Sequence, residues 1–164
     1  MKRIVPALLG ILIAAPAMAD LPARTPGLWQ STSTVIGPNG KPVAHEVDVV
    51  TVSCVDALND QKFFMSNQSA CTSLSVSGSG NRYSISGTCN GQGQNLQIHM
   101  DLTYAGAQAL QLKAIYHSAQ GQMTVTSQLQ WQGNCLPGMV PGDEGNIAGG
   151  AFVKADNIND SYNQ

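Results

Sequence analysis

From residue 27 to residue 131 apolar and polar side chains alternate, and a period of two fits strands that lay one face on a core and turn the other to water. The clearest run is Leu96, Ile98, Met100, Leu102 and Tyr104, with Gln97, His99, Asp101 and Thr103 between them. On a helix the same residues would be spread around the whole circumference. The next run turns Leu110, Leu112, Ala114 and Tyr116 inward. The one after it turns Met123, Val125, Leu129 and Trp131 inward, with Ser127 as the polar exception.

Short loops rich in Gly, Asn and Gln separate the runs, as antiparallel hairpins require. With Ala105-Gly106-Ala107 as a three-residue loop, Leu102 opposes Leu110, Met100 opposes Leu112 and Ile98 opposes Ala114. With Gln120-Gly121 as a two-residue turn, Tyr116 opposes Val125 and Leu112 opposes Leu129. Apolar meets apolar on one face throughout. Upstream, the turn Gly80-Asn81 sets Val76 against Ile85, and Gly37-Pro38-Asn39-Gly40 joins strands over 28–35 and 43–53. Alternation stops over 55–64, where Asp56 is placed to cap a short helix through Ala57, Leu58 and Phe63. After Cys135 come Pro137, Gly138, Pro141, Gly142, Gly145, Gly149 and Gly150, so 136–164 reads as a flexible tail with 151–153 its one adhesive point. The expected fold is all-β: a curved antiparallel meander of about seven strands, closing toward a sandwich or incomplete barrel, with one short helix.

The first 19 residues carry the pattern of an export signal. Lys2 and Arg3 are the basic start, 8–15 the apolar stretch and Ala17-Met18-Ala19 the small-residue cleavage site. Cleavage after Ala19 makes the mature protein periplasmic or secreted. The stretch is too short to span a bilayer and is bracketed by Pro6 and Pro16, so the mature chain is expected to lack a transmembrane anchor. Residues 20–135 then form one disulfide-stabilised β domain with a modest core.

Only 11% of residues are charged and the formal net charge is −2, so there is no basic stripe for nucleic acid. Cys54, Cys71, Cys89 and Cys135 all lie behind the signal, and an even count in an oxidising compartment favours disulfides. No Cys-x-x-Cys pair and no nearby His supports zinc or redox chemistry. Face parity ranks the connectivities. Cys89 falls on the inward row with Tyr83 and Ile85, opposite Thr72, so a Cys71–Cys89 bridge would need a bulge. Cys54 and Cys71 flank the short helix, and Cys135 shares the parity of Leu129 and Trp131. The expected bridges are Cys54–Cys71 and Cys89–Cys135.

Pro26-Gly27-Leu28-Trp29 opening the first strand, Val52-Ser53-Cys54 closing the second, and three further cysteines with the last just after the final strand form an ordered set. In this the chain resembles a family of exported bacterial proteins catalogued as a domain of unknown function. The resemblance covers roughly 25–135 and implies architecture and location, and no activity. Family members carry Met- and Pro-rich early turns; here that turn is Gly37-Pro38-Asn39-Gly40, without Met.

No catalytic set emerges. His45, His99 and His117 are read as surface residues, His99 opposite Lys113 and His117 opposite Asn95 on the polar face, too far apart for an acid–base pair. There is no Gly-x-Ser-x-Gly elbow, and Ser77-Gly78-Ser79-Gly80 lacks the Lys and helix of a phosphate cradle. Asp48 and Asp101 on strands, with Asp143 and Glu144 in the tail, form no convincing carboxylate pair. Trp29 and Trp131 stand on the first and last strands, where tryptophans anchor closure of a sheet. The concave side of a curved sheet can hold an apolar ligand, and Trp29, Met100, Leu112, Tyr116, Leu129 and Trp131 are the candidate lining. The expectation is a non-enzymatic protein without metal or cofactor that binds an apolar small molecule or envelope component. The competing expectation is an interaction module, an inhibitor or assembly factor, that uses a strand edge or the tail to hold an envelope protein.

Overall fold

The computed structural model describes residues 19–65, 71–91 and 94–160. The candidate export signal, as far as Met18, lies outside the described residues. The chain forms β1 (Gly27–Ile36), β2 (Val49–Val55), α1 (Lys62–Met65), β3 (Cys71–Ser79), β4 (Arg82–Gly91), β5 (Gln94–Tyr104), β6 (Ala109–Ser118), β7 (Gly121–Gly133), β8 (Asp143–Ala148) and β9 (Ala151–Asn157). All pair antiparallel in one sheet of nine strands, in the order β3-β4-β5-β6-β7-β1-β2-β8-β9. The all-β reading holds. Among the described residues the sheet is single and open, with one short helix.

β3 to β7 are the meander that the alternation implies, each paired antiparallel with the next. β1 then docks on β7 along its whole length, Trp29 beside Trp131 and Val35 beside Val125. Inward rows from β3 to β7 supply the core: Val76, Ile85, Met100, Leu102, Tyr104, Leu110 and Ala114 are buried. The face parity of these strands is as the sequence implies, while two hairpins shift by two residues. Tyr104 pairs with Leu110 and Leu102 with Leu112, because the loop closes on Ala105 and Ala109. Ser118 pairs with Gly121, so the second turn is Ala119-Gln120 and Tyr116 meets Met123. A shift of two keeps every side chain on its face. At Gly80-Asn81 the expected register is found, with Val76 against Ile85.

The disulfides differ from the expected pairing. Cys54 bonds Cys135 and Cys71 bonds Cys89. The obstacle to Cys71–Cys89 was the one-residue parity mismatch, and a bulge between Cys71 and Ser73 removes it by bringing Cys71 opposite Cys89. The other bridge follows from the sheet order. β1 lies between β7 and β2, and Leu28 pairs with both Cys54 and Gly133, so the end of β2 and the exit of β7 are neighbours across one strand.

Residues 136–164, expected as a flexible tail, contain two strands. β8 joins β2 through Val52–Gly145 and Ser53–Glu144, and β9 pairs back on β8. The glycines and prolines that argued against regular structure occupy its turns: Gly149-Gly150 forms the hairpin tip and Pro141-Gly142 the approach to β8. Asp143 locks that approach by accepting from the Val140 N–H and the Asn157 amide. The helix also begins later than expected. Asp56 does cap, accepting from the backbone N–H of Leu58 and Asn59, but 57–61 is a turn and, among the described residues, the helix is Lys62–Met65.

Candidate functional site

The inner face of the meander is covered by two short pieces of chain: residues 19–24 and the turn leading into α1. Leu21 and Phe64 are buried in the same cluster as Ile85 and Leu102. The cover is held by a buried ion pair. The Asp60 carboxylate accepts from Arg24 Nε at 2.6 Å and from the Arg24 backbone N–H at 2.8 Å, and the two residues are 4% and 5% exposed. The guanidinium carbon lies 4.6 Å from the Phe64 ring centroid, 5.0 Å from Trp29 and 5.4 Å from Phe63. Buried charge is tolerable only when so paired and hydrogen-bonded. Neither Arg24 nor Asp60 carries a local sequence signal, since their pairing spans 36 residues.

The cover does not fill the whole face. Between α1 and the far ends of β5 and β6 is a cavity of about 280 Å³, lined by Phe63, Phe64, Met65, Cys71, Leu74, Leu96, Ile98, Met100, Leu112 and Tyr116. Burial pushes the Tyr116 phenol above its ordinary value. A second cavity of about 370 Å³ adjoins it, lined by Ala19, Asp20, Leu21, Gln61, Met65, Leu74 and Val76. Met65 and Leu74 line both.

Of the residues expected to line a pocket, Met100, Leu112 and Tyr116 come together in the first cavity. Leu129 packs against the buried core instead. Trp29 at the start of β1 and Trp131 near the end of β7 face each other across the ladder, outside the cavity: Trp29 Nε1 donates to Thr25 O and Trp131 Nε1 to Pro26 O. The α1 contribution was missed in the sequence, although the apolar triplet Phe63-Phe64-Met65 directly after the break in alternation was its signal.

The other face of the sheet is polar. Thr32, Thr34, Asp48, Asp101, Thr103, Gln111, Lys113, Thr126 and Gln128 line an open trough of about 680 Å³ there. His99 and His117 share this face, paired with Ile115 and Gln97 rather than with Lys113 and Asn95. They are closer than the sequence reading placed them, for both line one shallow depression. Ser86 Oγ lies 2.8 Å from His99 Nδ1, and Asp101 Oδ1 lies 3.2 Å from His99 Nε2 and accepts from Ser84. The His99 and Asp101 side chains are about half exposed, 46% and 52%. The chain therefore ties β4 to β5 across a wet surface.

A family model described as a protein of unknown function (DUF3617) matches residues 24–135. The chain belongs to this family. The DUF3617 match opens on Arg24 of the buried ion pair and closes on Cys135 of the disulfide, so it spans β1 to β7, α1 and all four cysteines. The β8–β9 hairpin lies beyond the matched residues. No curated protein and no solved structure matches the chain. Among the described residues no helix is long and apolar enough to cross a membrane, and no group of three or more His, Cys, Asp or Glu is placed to hold a metal ion.

Proposed function

We propose that this DUF3617 member is an exported, non-enzymatic binding protein that carries an apolar small molecule between the inner face of its sheet and α1. The observation that carries the reading is the apolar cavity at Phe63, Leu96, Ile98, Leu112 and Tyr116, left open on the inner face of the sheet. Protein interiors close-pack, and a space of this size whose lining side chains are apolar apart from the Tyr116 hydroxyl suits an apolar guest. Export is supported by the N-terminal charge and hydropathy pattern and by two disulfides, which persist outside the reducing cytosol. Titration with N-phenyl-1-naphthylamine tests it: saturable fluorescence enhancement is expected, lost when Leu112→Trp fills the cavity. An unsaturable signal, or one indifferent to Leu112→Trp, would refute the reading.

A second reading, a protein-interaction module, is favoured by the β8–β9 hairpin. It holds β2 through two register pairs and presents Ile147 and Val153 at 50% and 49% exposure. Apolar β-branched residues at a sheet margin suit recognition by strand addition. Under this reading I147K/V153K abolishes crosslinking to an envelope protein and leaves probe binding unchanged.

A further inference from the structure

The two cavities under the cover share a wall of two side chains. Met65 and Leu74 line both lobes. The lobes measure about 280 and 370 Å³, each near the lower end of small-molecule sites, for which roughly 300 Å³ is the floor. A ligand that used both would have to pass between Met65 and Leu74. Methionine is the most adaptable apolar side chain, with three rotatable bonds, and yields readily to a narrow guest. A fused ring system spanning both lobes would need that wall removed.

Polarity is distributed along the same axis. The lobe beside β5 and β6 offers only apolar side chains apart from the Tyr116 hydroxyl, whereas the lobe beside residues 19–21 includes Asp20 and Gln61, both exposed. Resting on the apolar-ligand reading above, we propose that the occupant is a single linear alkyl chain whose tail lies against Leu96, Ile98 and Tyr116 and whose small polar head emerges at Asp20 and Gln61. The Asp20 carboxylate and the Gln61 side-chain carbonyl both accept hydrogen bonds, which suits a head that donates one, as an alcohol does.

A chain in such a site gains affinity with every buried methylene until both lobes are full. Displacement of N-phenyl-1-naphthylamine by 1-alkanols from hexanol to dodecanol reads this directly. Affinity is expected to rise about fourfold per methylene and then level off. Leu74→Trp, which closes the passage, should move the plateau to a shorter chain. Met65→Trp is the second variant and should do the same on the opposite wall. If the probe binds and alkanols displace it with no length dependence, or if the plateau stays put in both variants, the two-lobe chain site is overturned and the apolar-ligand reading stands. If neither probe nor alkanol binds the intact protein, both fail together.

Discussion

Trp29 and Trp131, neighbours across the β1–β7 ladder, donate their indole N–H groups to the consecutive carbonyls of Thr25 and Pro26. The Pro-Gly-Leu-Trp opening is thereby explained in physical terms. Pro26 offers a carbonyl to the last meander strand, and Trp29 folds back to hold the carbonyl before it. Gly27 makes the turn with φ of +132° at a point where an added Cβ would collide with the Gly133 carbonyl.

Gly27→Ala is accordingly expected to destabilise the domain by about 1–3 kcal/mol, from backbone strain and loss of the β1–β7 contact at Gly133. Urea unfolding followed by tryptophan fluorescence measures it. A midpoint equal to that of the parent protein would contradict the role given to this turn.

The buried pair under the cover makes an asymmetric prediction. Asp60→Ala leaves the Arg24 guanidinium buried without its anion, at a cost of about 3–5 kcal/mol. Removing both charges in R24M/D60L should restore much of that loss, since apolar replacements of similar volume avoid desolvating an ion. Chemical denaturation of the single and double variants decides it; a double variant no more stable than Asp60→Ala would count against the argument.

How far the sequence could be read follows from which interactions are local. Hairpin parity is local, so the inward rows of Ile85, Met100, Leu102 and Leu110 were legible and survived two register shifts of two residues. The disulfides were not, because Cys54 meets Cys135 only once β1 is known to lie between β2 and β7. Cys71–Cys89 depends on a bulge that no residue type announces. The tail was misjudged for a related reason: its Gly and Pro residues mark turns as well as they mark disorder, and the pairing of Gly145 with Val52 that decides between them spans most of the chain. At the site, Met100, Leu112 and Tyr116 could be placed from alternation, whereas Arg24 and Asp60 had no pattern to reveal them.

The observed connectivity has unequal energetic weight. In the chain-entropy model, a bridge across 81 residues contributes about 4.5 kcal/mol and one across 18 about 3. C54S/C135S should therefore lower stability more than C71S/C89S. Non-reducing peptide mapping, with thermal unfolding of the two double variants, checks both the pairing and the order.

Tyr104 is buried among Arg24, Asp60 and Tyr83, and its hydroxyl makes no hydrogen bond in the structure. Burial, with the Asp60 carboxylate and Tyr83 adding and Arg24 opposing, pushes the phenol from its ordinary 10.0 to about 12. A raised folded value means the stabilisation is whole below pH 10 and is lost as pH climbs toward 12, because the unfolded chain ionises first. Tyr104→Phe removes an unsatisfied buried hydroxyl, so it should be neutral or stabilising by about 1 kcal/mol at pH 7. Its alkaline unfolding midpoint should move upward; a downward shift would mean that the hydroxyl is satisfied.

Asp143 gives the opposite pH dependence at the other end of the sheet. Burial alone would raise its carboxyl. The Lys154 ammonium at 2.7 Å, the Val140 N–H and the Asn157 amide outweigh that and hold it below its ordinary 3.8. A lowered folded value stabilises the hairpin above the ordinary carboxyl range, and the contribution disappears as pH falls through the lowered value. The amides of β8 and β9 should therefore lose hydrogen-exchange protection below about pH 4, before those of β4 to β6, whose own inward rows are apolar apart from Tyr83, Tyr104 and Tyr116. In Asp143→Asn the acid step should be absent, and protection at pH 7 should already be reduced, because Lys154 then faces a neutral amide. Simultaneous loss of protection in β9 and β5 on acidification would show instead that the hairpin unfolds only with the whole sheet.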